Sequence, residues 1–133
     1  MNSFRRLNVW VRSHELTLRV YRLTDGPRFG RYLGLASQLR RAVSAIPANL
    51  AEGAGHASQA QFNRYLEIAI ASSHEALYLL LLAKDLTAID ETAYTQLEAR
   101  MIEVQAKLVS LRRRVRQGTV RNARRGDRVA SPS

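Results

Sequence analysis

The sequence predicts an all-α protein folded as an antiparallel up-down four-helix bundle. Four separate segments carry apolar residues at helical spacing. Strong helix formers (Ala, Leu, Arg, Glu and Gln) dominate the composition, and only three prolines and seven glycines punctuate it. No segment alternates apolar and polar residues as a half-buried strand does. A chain of 133 residues fits one domain, and its 46% hydrophobic content is ample for one core. Residues 1–117 are expected to form the bundle, with helices over about 9–23, 35–52, 58–86 and 90–116. Residues 118–133 read as a basic, disordered tail rich in Arg, Gly and Ser.

In the first helix, Val9, Trp10, Leu16, Val20, Tyr21 and Leu23 share one broad face, while Arg12, Glu15, Arg19 and Arg22 share the other. Asn8 is a candidate N-cap, and Thr24-Asp25-Gly26-Pro27 ends the helix in a loop that reaches Gly34. The second helix shows a core stripe of Leu39, Val43, Ile46 and Leu50, flanked by the small Ala42 and Ala45. Pro47 lies inside that stripe, where it removes the bond to the Val43 carbonyl, so a kink with continuation is expected. Gly53 suits a left-handed cap after it.

The third helix opens at Ser58, which matches a capping box with Gln61. One of its faces carries Phe62, Tyr65, Leu66, Ala69, Ser73, Ala76, Leu77 and Leu80. The opposite side is also apolar, with Ile68, Tyr78, Leu79, Leu82 and Leu86. A helix apolar on both sides is buried on both sides. Those five residues are therefore expected to form a subunit interface, making the protein a homo-oligomer; the alternative is a central helix with neighbours on each side. The fourth helix opens near Asp90 and carries Tyr94, Leu97, Met101, Val104, Leu108, Leu111 and Val115, a heptad stripe.

Composition narrows the function classes. With no cysteine, disulfides and thiolate metal sites are excluded. No apolar segment follows Arg5 and Arg6 as in a signal peptide, and the longest apolar run, Ala76 to Ala83, has eight residues, too short to span a bilayer. The expectation is a cytoplasmic protein with no membrane partner. Di-iron bundles need Glu-x-x-His pairs, but Ala71 stands in the required position before His74 and Val11 before His14. The histidines His14, His56 and His74 show no i,i+4 pairing, and neighbouring His74 and Glu75 point in different directions. Gly53-Ala54-Gly55 before a helix could hold an anion, but it follows a helix rather than a strand, and a cap plus a turn explains both glycines. No catalytic residue, metal or cofactor is expected, and the chain does not read as an enzyme.

Charge is the remaining signal. The net charge is +10, and arginine outnumbers lysine nineteen to two. Arg112 to Ser133 holds eight arginines and one aspartate, a net +7, which leaves +3 on the other 111 residues. The guanidinium fork suits phosphate, although genomic base composition can also bias a chain toward arginine. Candidate nucleic-acid contacts are Arg40 and Arg41 on the second helix, Arg64 on the third, and Arg112, Arg113, Arg114, Arg116, Arg121, Arg124 and Arg125 at the C-terminal end. Such a cluster binds RNA or DNA backbones without reading sequence. The alternative is a solvated tail that serves solubility.

The stretch Gln38-Leu39-Arg40-Arg41-Ala42-Val43-Ser44-Ala45-Ile46-Pro47-Ala48-Asn49-Leu50-Ala51-Glu52-Gly53 resembles the hallmark of the bacterial four helix bundle proteins, or 23S rRNA intervening-sequence proteins. Leu7-Asn8-Val9-Trp10, Val20-Tyr21-x-Leu23-Thr24, Phe62-x-x-Tyr65-Leu66-x-Ile68-Ala69 and Ser73-x-Glu75 extend the similarity over about residues 4 to 115. Pro47, Asn49, Glu52 and Gly53 are its structural motif residues here. The resemblance implies a four-helix bundle assembled as a homopentamer with no established enzymatic activity. It also links the chain to accessory proteins of diversity-generating retroelements, which bind nucleic acid and a reverse transcriptase. The sequence departs from the family pattern at Ala45, where serine is usual, at His56, where arginine is common, and at Ile70-Ala71, where an Arg-Gly pair is common. In a pentamer, five tails of +7 would pool about +35 on one assembly. Two functions follow as expectations: a nucleic-acid-binding accessory protein, or an oligomeric scaffold that docks a protein partner with its charge incidental.

Overall fold

The computed structural model describes residues 3–55 and 58–118. It contains four α-helices: α1 Asn8–Thr24, α2 Leu33–Ala54, α3 Gln59–Asp85 and α4 Glu91–Arg116. Short 3-10 turns at Ser3–Arg6 and Pro27–Arg31 precede α1 and α2, and no strand occurs among the described residues. Consecutive helices pack on each other, and α1 closes against α4. Apart from Gly118, the expected tail lies outside the described residues, as does His56.

The core stripes read from the sequence are buried: Val9, Leu16 and Val20 from α1; Leu39, Val43, Ile46 and Leu50 from α2; Phe62, Leu66, Ala69 and Leu80 from α3. The α4 heptad from Leu97 through Val115 is buried as well. The caps differ in how well they were anticipated. Ser58 Oγ accepts from Gln61 N at 3.0 Å, as the spacing predicts, and Asp90, where the fourth helix was expected to open, caps it by accepting from Ala93 N at 2.8 Å. Asn8 is not the N-cap of α1; Leu7 occupies that position with extended backbone and no side-chain cap.

Gly53 does not end α2 in a left-handed conformation. The helix continues to Ala54, and the capping Gly55 has φ −79°. Gly53 serves close approach: a Cβ there would sit 2.8 Å from Phe62 Cδ1 and 2.9 Å from Tyr65 Cβ. The missing side chain lets the end of α2 lie directly on the start of α3.

Pro47 sits buried inside a continuous helix. It has no N–H, so the Val43 carbonyl loses its ordinary helical donor. Thr17 Oγ1 of α1 donates to Ser13 O at 2.8 Å and shares that proton with Val43 O at 3.3 Å, the longer arm of a bifurcated bond. A proline in α2 and a threonine in α1 thus tie the two helices at the centre of the bundle. Nearby, Asn49 Nδ2 donates to Ala45 O at 2.7 Å.

α3 is the two-sided helix. It packs on α2 and on α4, which absorbs much of the apolar surface that composition assigned to an interface. Leu79, expected at that interface, is buried in the subunit's own core, and Leu82 is half-buried against it. Leu86 is half-buried too. α3 is long and apolar enough, by length and composition, to cross a membrane, and 39% of its most apolar window is buried inside the bundle. α3 ends in a Schellman motif: Thr87 N donates to Lys84 O and Ala88 N to Ala83 O, at 2.9 and 2.8 Å. Thr87 holds the left-handed position at φ 60°, which is strained for a β-branched residue.

These features set four stability expectations, each measurable by urea unfolding. Thr17→Val costs about 1–2 kcal/mol by leaving a buried carbonyl short of a donor. In a Pro47→Ala background the restored N–H serves that carbonyl, so the cost falls by about 1 kcal/mol; strict additivity would remove the proposed tie. Gly53→Ala lowers stability by about 1–3 kcal/mol through overpacking against Phe62. Thr87→Gly raises it by about 0.5–1 kcal/mol by relieving the left-handed strain.

Candidate nucleic-acid interface

Antiparallel packing brings the start of α1, the end of α2, the start of α3 and the end of α4 to one end of the bundle. Contacts across that end fix the arrangement. Gln59 Nε2 at the start of α3 donates to the Val115 carbonyl near the end of α4. Arg112 Nη1 lies 4.0 Å from Glu67 Oε2. The 3-10 turn Ser3–Arg6 packs on both α1 and α2.

Arginines from three distant parts of the chain meet there. Arg5, Arg6, Arg64, Arg113 and Arg116 are exposed, while Arg112 and Arg114 are half-buried. Desolvation pulls the Arg114 pKa down from its ordinary value. Arg112 spends part of its charge on Glu67, a partly exposed pair of modest strength. Arg5 and Arg6 escaped the sequence reading. Their signal was present in the up-down topology, which places the residues before α1 beside the end of α4. Arg5 lies over the Phe4 ring, 5.8 Å from its centroid. Phe4 meets Trp10 edge-on at 5.1 Å, and Trp10 stacks on His14 at 4.9 Å. His14 is therefore part of an aromatic ladder on α1.

Arg40 and Arg41 are separated from this cluster. Arg41 lies thirteen residues before Ala54, the end of α2, about 20 Å along the helix. Arg40 is a clamp between α1 and α2. Its Nε donates to Thr24 Oγ1 at 2.6 Å, and its Nη2 donates to Asp25 Oδ1 at 2.9 Å and to Tyr21 O at 3.2 Å. The guanidinium also stacks over Tyr21, 4.7 Å from the ring centroid. Tyr21, expected in the core, instead stays 42% exposed as the platform for that stack. Arg41 is exposed beside it on a cleft of about 670 Å³. Arg121, Arg124 and Arg125 lie outside the described residues.

The apolar surface left exposed is narrower than the sequence suggested and lies partly on another helix. Ile68 and Tyr78 of α3 are 41% and 59% exposed. Leu81 of α3 and Ile102 and Val109 of α4 join them. His74 Nδ1 lies 3.2 Å from Gln105 Nε2, so α3 and α4 run with residue 74 opposite 105 and 67 opposite 112. That register sets Ile102 level with Tyr78. The seven-residue spacing of Ile102 and Val109 was the missed signal, masked by the stronger core heptad on the same helix.

No group of three or more metal-ligating side chains forms among the described residues. His74 is engaged with Gln105, and Glu75 is exposed elsewhere on the helix surface. Pro47 and Gly53 serve helix packing, Asn49 bonds a carbonyl within α2, and Glu52 is exposed at the α2 end.

Comparison with solved structures agrees with this architecture. A protein of unknown function from the S23 ribosomal protein family of Bacteroides thetaiotaomicron superposes with a TM-score of 0.75 at 23% identity, covering 85% of this chain and 99% of that chain. No curated protein matches the chain. The sequence profile of the 23S rRNA-intervening sequence protein family matches residues 5–110, nearly the whole described bundle. The chain belongs to the 23S rRNA-intervening sequence protein family.

Proposed function

We propose that this protein is a non-enzymatic accessory protein that binds RNA or DNA through the phosphate backbone, without reading sequence. The observation that carries this reading is the gathering of Arg5, Arg6, Arg64, Arg113 and Arg116, all exposed, at one end of the bundle. Their carboxylate neighbours at that end are few, Glu52 and Glu67, so the local field is strongly positive. The sequence adds Arg121, Arg124, Arg125 and Arg128 directly beyond α4. Planar guanidinium forks match phosphate oxygens, the chemistry of backbone contact.

The working form in this reading is a homo-oligomer, a homopentamer by the family resemblance, acting with a protein partner such as a reverse transcriptase. Tyr78, Leu81, Ile102 and Val109, exposed on the outer sides of α3 and α4, favour self-association, and Ile68 is exposed on the other flank of α3. The same exposed side chains favour the second reading, a scaffold that docks a protein partner while its charge stays incidental.

The first of two measurements separates these readings, and the second tests the assembly that both share. Arg64→Gln, Arg113→Gln and Arg116→Gln together should weaken binding of a labelled duplex about tenfold or more at low salt and flatten the salt dependence by about 2.7 in log–log slope. Equal binding by this triple variant overturns the arginine-end reading. Light scattering should give a particle several times 15.0 kDa for the wild-type chain and one near 15.0 kDa for Tyr78→Glu with Ile102→Glu. A wild-type particle of 15.0 kDa overturns the assembly.

A further inference from the structure

The basic end is not the only place where cations align. On α1, Thr17 and Thr24 face α2, where they meet Val43 and Arg40. The α4-facing side of α1 carries Arg19, Arg22 and Leu23, which form a cleft of about 540 Å³ with Ala93, Gln96 and Leu97 of α4. Arg12 lies seven residues before Arg19 and continues the same line toward the arginine end. On α4, Arg100, Lys107 and Arg114 follow Ala93 at successive seven-residue steps, so they track the same seam. The α3-facing side of α4 is different: it carries Tyr94, Gln105 and Arg112, which contact Lys84, His74 and Glu67.

We infer that the α1–α4 seam is a second nucleic-acid contact, a track of Arg12, Arg19, Arg22, Arg100, Lys107 and Arg114 that continues the arginine end along one side of the bundle. The inference rests on the proposed phosphate-binding function and extends it to a surface nothing above assigned. Charge is segregated around the bundle axis. The seam sets six cations against Glu15 and Glu103, whereas Glu67, Glu75, Asp85 and Glu98 lie on α3 and the α3-facing side of α4. Among the described residues, no carboxylate pairs with Arg12, Arg19, Arg22 or Arg100, so these four side chains are not spent on internal ion pairs. Arg12, Arg19 and Arg22 are exposed, and Arg100 is half-buried with its stem against the bundle. From Arg100 to Arg114 the track is about 21 Å long, the length of about six base pairs of duplex. A single backbone strand or one face of a duplex fits such a track, and phosphate is the chemistry shared by both.

The test compares three variants of the full chain, each lacking three cations. Binding is read by fluorescence anisotropy on a labelled duplex of about 20 base pairs and on the matching single strand across a salt series. Arg12→Gln, Arg19→Gln and Arg100→Gln remove the seam; Arg64→Gln, Arg113→Gln and Arg116→Gln remove the end; Arg28→Gln, Arg31→Gln and Arg41→Gln remove equal charge from the opposite end. The inference expects the seam variant to lose about 2.7 in log–log salt slope and about tenfold or more in affinity, with the opposite-end variant close to wild type. The probe that loses more identifies the duplex or the strand as the occupant. A seam variant that binds as wild type, while the end variant is impaired, overturns the track and leaves the arginine-end reading intact. Equal losses in the seam and opposite-end variants overturn the track in favour of diffuse attraction. Wild-type slope in all three, or no binding by the wild-type chain, overturns both readings. Circular dichroism and urea midpoints within error of wild type confirm that the variants are folded.

Discussion

Short connections govern this molecule. Only residues 55–58 separate α2 from α3, and only residues 86–90 separate α3 from α4. Segments that brief cannot carry the chain back along a helix, so each helix must run antiparallel to the one before it. Every other feature depends on that path. It places residues 5, 64 and 113, far apart in sequence, at a single end. It also sets α1 beside α4, where Arg19 and Arg22 of α1 border a cleft closed by Ala93, Gln96 and Leu97 of α4.

The path holds because the helices can come close at a few points. Gly53 allows α2 to lie on Phe62 and Tyr65, which supports the tight connection into α3. Pro47 opens the backbone of α2 just where Thr17 of α1 can reach the freed carbonyl. At the other end, Arg40 closes α1 on α2 through Tyr21, Thr24 and Asp25. The proline–glycine segment that carries the family likeness is thus a packing device. What distinguishes the surface is the arginines placed around that device, and those fall on parts of the chain outside the segment.

The fold was largely legible in the sequence, and its site only in part. The α4 heptad, the cap at Ser58 and the opening of α4 at Asp90 are local signals, set by residues three to seven apart, and they read correctly. The two apolar sides of α3 were also visible, but periodicity does not say which neighbour covers each side. Leu79 faces inward and Tyr78 outward because α4 packs on one flank and not the other, a tertiary fact. Gly53 looked like a cap because sequence shows the absence of a side chain and not the ring that fills its space. Arg40 looked like a free cation because its partners lie fifteen to nineteen residues away on another helix. Conversely, Arg5 and Arg6 looked isolated until topology set them beside Arg113 and Arg116.

The central claim is geometric: phosphate is held at one end and along one side of the bundle. Photo-crosslinking of the full chain to a thiouridine-substituted RNA, with the adducts mapped by mass spectrometry, tests it most directly. The account expects adducts on peptides from the start of the chain through α1, on the start of α3 near Arg64, and on α4 beyond Arg100. Adducts concentrated on the middle of α3 around Glu75, or on α2 around Arg41, would contradict it.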